Sequence, residues 1–344
     1  MIIPHSKPTL NAADAKIVAD VIKSGYIAQG KKVASFEQKF ARFQKVRYAV
    51  AVNSGTSALH LSLLALGIKR GDNVIIPSFV CTALMNAVRY TGADIQIADI
   101  GEDYNISIVS VSRKINKKTK AIIVPHMFGL PADLAPLLKL KIPIIEDCAQ
   151  SIGANYKRKP VGSFGTLSIS SFYATKMMTT GEGGMVTSNN QALINRIRDL
   201  RDYDNKNDYK TRFNYKMTDI QAALGIHQLS QLPNWIKKRK KIAQAYTQAL
   251  KNSQLKLPEQ YAQREHIYFR YVIQTSNKQK LLNKLKSKGI HAASPIFKPL
   301  HKYLQLRGYP CADHLMSKAI SLPIYPSLSM NAVRYVIKNI KAAI

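Results

Sequence analysis

Residues 168–186 read SISSFYATKMMTTGEGGMV, and the fold turns on how this stretch is understood. A short apolar strand pattern over 167–172 runs into Lys176. A loop of small residues with Gly181, Gly183 and Gly184 follows, and a second strand pattern covers 184–188. A lysine withdrawn from water in such a place loses ammonium solvation. Its pKa falls, and the neutral amine becomes a nucleophile able to form a Schiff base. The competing reading is an exposed lysine among many, and it holds for any lysine of this chain that lacks the setting.

Working outward, strand-like apolar runs recur at 47–53, 73–77, 94–100, 120–125 and 142–146, separated by helix-period segments. That alternation predicts an α/β fold with a mostly parallel central sheet and helices on both faces. The segment 56–66 is apolar around most of its circumference, as a helix packed on a sheet should be, and Gly67 is a stop. After Pro233 the pattern predicts a helix over 235–250, a strand over 266–275, a helix over 278–288 and a terminal helix over 331–343. The chain divides at 235 into a large part, 1–234, and a smaller C-terminal α/β part, 235–344.

Two further elements carry chemistry. In NSGTSA, 53–58, an apolar strand ends in a small-residue turn that opens a helix. Free backbone N–H groups and the positive helix end suit a phosphate there, although Ser-Gly-Thr is equally an ordinary helix cap. In IIEDCAQ, 144–150, an apolar strand ends in two carboxylates at the sheet edge where ligands of α/β proteins gather. Asp147 either pairs with a cationic ligand or caps a helix.

Composition bounds the rest. With 344 residues and 46% apolar side chains the chain builds a sizeable core, which excludes a disordered protein. Lys and Arg number 51 against 20 Asp and Glu, a net charge of +31 that favours anionic partners. Basic runs at 237–241, 114–120 and 278–288 read as solvated helix faces. They come without zinc-finger spacing, a basic zipper or an aromatic RNA-binding signature, so no specific nucleic acid is expected. Cys81, Cys148 and Cys311 are widely spaced and form no C-x-x-C pair, which predicts neither a disulfide framework nor a metal site and fits a reducing cytoplasm. No secretory signal opens the sequence, and no apolar stretch approaches the roughly 20 residues of a membrane span.

Together the motifs resemble the DegT/DnrJ/EryC1/StrS family of pyridoxal-phosphate (PLP) sugar aminotransferases, within the type I aminotransferase fold. The matches are SGTSALHLSLLALGI at 54–68, EDCAQSIGANY at 146–156, SSFYATK and GEGGMV within 170–186, and NYKMTDIQAALG at 214–225. Weaker echoes are SPIFKPLH at 294–301 and LPIYPSLS at 322–329. The resemblance implies that Lys176 carries PLP and shuttles a proton, with pyridoxamine phosphate as the alternate form, and that Asp147 keeps the pyridine nitrogen protonated. It places Gln150 beside the cofactor and assigns the phosphate to Gly55, Thr56, Ser57 and Ser171. It also implies a homodimer with shared active sites, in which a loop at 212–217 crosses to the partner with Asn214 as the crossing side chain. His126 and His301 are candidate substrate contacts, and Glu182 orients the glycine loop.

Two positions depart from the family pattern. Cys81 stands where an aromatic residue commonly covers the cofactor ring, which places it among the cofactor-binding positions; Phe79 lies two residues away in a different register, and Cys81 itself reads as a small apolar packing residue there. Arg212 stands where glycine is common, which alters the crossing loop or adds a contact to an anionic substrate. The implied reaction moves an amino group from an amino acid, glutamate, to a keto group of a nucleotide-linked sugar, in cell-envelope polysaccharide synthesis. The alternatives are a PLP-dependent sugar dehydratase, whose family members replace the lysine, and a non-catalytic regulator that uses the basic surface on nucleic acid.

Overall fold

The computed structural model describes residues 2–344. Seven strands build the central sheet: β1 (Tyr48–Val52), β2 (Asn73–Pro77), β3 (Asp94–Ala98), β4 (Thr119–Pro125), β5 (Ile144–Asp147), β6 (Leu167–Ser171) and β7 (Gly184–Ser188). They are the seven runs read from the sequence. Their order is β1-β7-β6-β5-β4-β2-β3. From β6 to β3 the strands run parallel, and β7 is antiparallel to both of its neighbours.

A parallel sheet is covered on both faces, which is why its inner strands carry unbroken apolar runs, 74–76 on β2 and 121–124 on β4, whereas β6 alternates apolar residues with the buried Ser168 and Ser170. Successive side chains still point to opposite faces. Val74, Ile76, Ile123 and Ile145 enter one core with α3 (Gly55–Ala65). Ile75, Ile122, Val124 and Ile144 enter the other with α2 (Lys31–Gln44), the second helix after α1 (Ala12–Ser24). Gly67 ends the α3 segment at a positive φ of 79°, as expected of a stop.

The longest helix, α4 (Asp219–Leu250), departs from expectation: it starts 16 residues before position 235 and carries Pro233 inside it. Its start is built by a reciprocal cap. Gln221 N–H donates to Thr218 Oγ1 at 3.2 Å, and Thr218 N–H donates to Gln221 Oε1 at 3.0 Å. Proline costs this helix one backbone bond, but Leu229, Leu232, Trp235 and Ile236 are all buried beneath the sheet around it, so packing overrides the local break. The division at 235 falls within α4. Further along, Ile242, Tyr246 and Leu250 enter a third core with the antiparallel pair β8 (Tyr271–Gln274) and β9 (Ala319–Leu322) and with the helices Lys278–Ser287 and Met330–Lys341. Ile3 joins that core from the other end of the chain, paired with Gly289 and His291.

The strand expected over 266–275 is shorter, because 266–270 lies against the large part: Ile267 N–H donates to Gly129 O and Arg270 N–H to Phe128 O. The basic run at 237–241 is broken up in three dimensions. Arg239 is buried and Lys240 pairs with Glu265, which leaves Lys237, Lys238 and Lys241 exposed. Among the described residues no helix is long and apolar enough to cross a membrane.

Candidate active site

At the carboxyl ends of β4, β5 and β6 the chain leaves a cavity of about 240 Å³, into which Gly55, Thr56, Cys81, Asp147, Gln150, Ser171 and Lys176 all converge. A larger open groove of about 720 Å³ beside Lys240 and His266 holds none of them. The convergence follows from strand geometry. On β5 the period of two sends Ile145 and Asp147 to the α3 face, and on β6 it sends Ile169 and Ser171 the same way.

The same period sends Glu146 to the opposite face, and its surroundings differ. Glu146 is fully buried and accepts four hydrogen bonds: from the N–H groups of Gly162 (2.7 Å), Phe164 (2.8 Å) and Gly165 (2.6 Å), and from His126 Nε2 (3.1 Å). Asp147 accepts one, from Ala149 N–H at 2.9 Å on Oδ1, and no protein donor meets Oδ2 among the described residues. Burial raises the Asp147 pKa, opposed by that hydrogen bond and by the charge of Lys176.

Lys176 follows the turn after β6, its N–H bonded to Tyr173 O at 2.9 Å. Among the described residues its ammonium has no carboxylate within ion-pairing distance, and it sits over the ring of Phe269, 5.7 Å from the centroid. Burial lowers its pKa, while the nearby Cys81 and Asp147 oppose the shift. The two shifts are mutually consistent: each group is pushed towards neutrality by dehydration and held back by the other's charge.

The start of α3 forms the third wall. Ser54 caps the helix, accepting from Ser57 N–H at 3.1 Å. Gly55 lies so close to β6 that a Cβ there would meet Ser171 Cβ at 2.9 Å, so only glycine lets the first-turn amides and the Ser171 hydroxyl share one small space. Anion-binding amides at one end, an acid with one free oxygen in the middle and an unpaired amine beside it suit a phosphorylated pyridine aldehyde, which is what PLP is.

Several sequence expectations need correction. Ser57 does not line the cavity: its hydroxyl donates to Asn53 Oδ1 at 2.7 Å and bonds Ser54 Oγ at 2.9 Å, within the cap. His126 is fully buried on the far face, its Nδ1 accepting from Ala132 N–H and its Nε2 held by Glu146, so it supports the strand end instead of meeting substrate. His301 is likewise buried, between Ser78 Oγ (2.5 Å) and Asp313 Oδ1 (3.1 Å), and stacks on Tyr309. Cys81 is not packed away: it is exposed and lines the cavity, whereas Phe79 is buried against Tyr104. Arg212 is engaged by Asp199 (3.0 Å) and Asp208 (2.6 Å) of its own chain. Asn214 needs no correction: it is exposed and lies outside the cavity of its own chain, and the expectation for it concerned a partner's cavity.

His126, Glu146 and Cys148 bring potential metal-ligand atoms within 4.8 Å of one another. The four donors on Glu146 and the two bonds of His126 already use those atoms, and burial holds the Cys148 thiol protonated. Sequence reading missed Tyr173 and the cap residue Ser54 as lining groups, and Glu182 lines the cavity as well as shaping the glycine loop. The Thr218–Gln221 cap was legible as T-x-x-Q; nothing in the sequence marked Tyr173.

A family model described as the DegT/DnrJ/EryC1/StrS aminotransferase family matches residues 8–341. The chain is 36% identical to a GDP-perosamine synthase of Escherichia coli O157:H7, over 98% of this chain and 97% of that protein. Among solved structures, a putative sugar aminotransferase, Spr1654 from Streptococcus pneumoniae, superposes with a TM-score of 0.94 at 27% identity in both its PMP and PLP forms, covering 100% of this chain and 98% of that one. Helicobacter pylori PseC, an aminotransferase involved in the biosynthesis of pseudoaminic acid, gives a TM-score of 0.94 at 26% identity, covering 100% and 99%.

Proposed function

The chain belongs to the DegT/DnrJ/EryC1/StrS aminotransferase family and is a PLP-dependent sugar aminotransferase; from that premise we propose that it takes the amino group of glutamate and places it on a keto carbon of a nucleotide-linked sugar. One observation carries the reading: an unpaired lysine and a donor-poor carboxylate, both dehydrated, border the same cavity at the strand ends. A relative named GDP-perosamine synthase makes GDP-linked keto sugars the first substrates to try.

When bound, the cofactor supplies an electron-poor ring that accepts the electron pair released as the donor loses its α-proton. The chain does the rest. Lys176, its pKa lowered by burial, takes up and returns that proton at the α-carbon. Asp147 Oδ2 would hold the proton of the ring nitrogen. The Gly55 and Thr56 amides and the Ser171 hydroxyl would hold the phosphate. Gln150, fixed by Phe128 N–H, which donates to its Oε1 at 2.9 Å, lines the same cavity and would help hold the cofactor. A partner subunit completes the cup with its own 212–217 loop, so the working unit is a homodimer.

The dehydratase alternative requires a chain without the lysine, and Lys176 is present. The test is a screen of keto sugars carried on GDP, UDP and dTDP with glutamate as donor. Formation of an amino sugar together with 2-oxoglutarate is expected, and turnover by Lys176→Ala at the wild-type rate overturns the assignment.

A further inference from the structure

Arg270 immediately precedes β8 and lines a small cavity that adjoins the candidate active site at Met127, a residue common to both linings; its backbone is fixed from two sides. Its N–H donates to Phe128 O at 3.2 Å, and the preceding carbonyl, Phe269 O, accepts from Arg239 at 3.2 Å. The side chain lies over the Phe269 ring, 4.8 Å from its centroid, and Lys176 Nζ lies over the same ring. The two cations thus share one phenyl ring as their floor.

What meets the guanidinium differs from what meets the other withdrawn arginines Arg201, Arg212, Arg239 and Arg264. Arg201 is paired with Glu37, Arg212 with Asp199 and Asp208, and Arg264 with Asp103. Arg239, deeply buried, donates to three backbone carbonyls. Arg270 has no acidic side chain within 4.0 Å among the described residues. Its recorded bonds are to the ring of His5, at 3.2 and 3.3 Å, and His5 is in turn held by Ser321 Oγ at 2.8 Å. Burial and the charge of Arg270 push His5 down to about 3, so that ring is neutral and offsets no charge. Burial pushes Arg270 itself down to about 10, and it stays cationic at neutral pH.

A half-buried cation kept without a counter-charge next to the reactive lysine is a cost to the free protein that a bound anion relieves. We propose that Arg270, steadied by His5, binds the α-carboxylate of the amino donor. This rests on the donor reading above. The chemistry selects the anion: Lys176 acts on the donor's α-carbon, and the α-carboxylate is one bond from that carbon. The diphosphate of a sugar nucleotide is several ring bonds from a keto carbon, and the cofactor phosphate has the start of α3. The planar fork of arginine matches a carboxylate with two parallel N–H bonds.

The experiment mixes holoenzyme with L-glutamate or with its α-amide, isoglutamine, and follows the decay of the cofactor absorbance. Arg270→Gln is expected to slow the reaction with glutamate about 100-fold and to leave the slower reaction with isoglutamine little changed, so that discrimination between the two collapses. Arg270→Lys restores part of it. Glutarate, which carries no amine, is expected to bind wild-type holoenzyme about tenfold or more tightly than the glutamine variant in calorimetry. An unreacted spectrum equal to wild type shows that the variant has folded and loaded. If wild type reacts with glutamate and Arg270→Gln reacts equally fast, the Arg270 assignment falls and the donor reading stands. A loss confined to the keto-sugar half-reaction also overturns it. If wild type fails to react with glutamate at all, the donor reading itself falls.

Discussion

Glu146 and Asp147 are adjacent acids at the end of one strand, and they live in opposite environments. On the α2 face, Glu146 is saturated by three backbone N–H groups and a histidine; on the α3 face, Asp147 has one donor and an oxygen to spare. The same contrast separates Arg239, with three carbonyl acceptors, from Arg270, with one imidazole. Burial alone therefore does not distinguish a structural charge from a functional one. What distinguishes them is whether the protein supplies all the partners. A saturated group has nothing left to offer a ligand, and an unsaturated one is unstable without it.

The contrast is broken or sharpened by substitution. The largest effect belongs to the unpaired amine: Lys176→Ala is expected to lower amination by about 10⁴-fold and abolish the holoenzyme absorbance band, both measured on protein whose circular dichroism is unchanged. Next, Asp147→Asn is expected to lower turnover by about 10³-fold while cofactor is still retained. The apo form of this variant should melt higher than wild type at pH 7. A carboxyl whose folded pKa is raised costs stability once ionised, and asparagine removes that cost. The advantage should shrink as pH falls towards the ordinary value of 3.8, and a variant that melts lower than wild type at pH 7 would place Asp147 with Glu146.

Glu146→Ala should do the reverse. Leaving three N–H groups and His126 without an acceptor costs about 3 kcal/mol in denaturant unfolding, with turnover per folded molecule much less affected. Gly55→Ala comes next: its Cβ would press on Ser171 Cβ at 2.9 Å, expected to weaken cofactor binding by about tenfold in titrations of apoprotein. The smallest effect is on pH. The rate at which apoprotein captures PLP should rise with a midpoint below the ordinary lysine value of 10.5, because burial favours the neutral amine. A midpoint at or above 10.5 would show Lys176 to be an ordinary solvated lysine.

The legible parts of this protein were those that depend on local order. The seven runs became seven strands because a sheet covered on both faces selects β-branched and apolar side chains, most fully in β2 and β4. Lys176, Asp147, Gly55 and Ser171 were legible because each directly follows or ends a strand, and parallel topology gathers strand ends at one edge. The misreadings have a common cause. Pro233 breaks a helix only if nothing holds the two halves, and here a core holds both. His126 follows a strand end and His301 lies in the short helix Leu300–Tyr303, but the faces they point to are occupied by Glu146, Ser78 and Asp313.

The sequence by itself determined the order of strands and helices, the family and the cofactor, because these rest on residue types at fixed short spacings. Tertiary structure alone decided which charges are satisfied. Glu146 finds its donors 16 to 20 residues away in sequence, and Arg270 lies against His5, 265 residues distant. Whether a buried group has a partner is a property of what packs against it, and packing brings together residues that no local pattern relates.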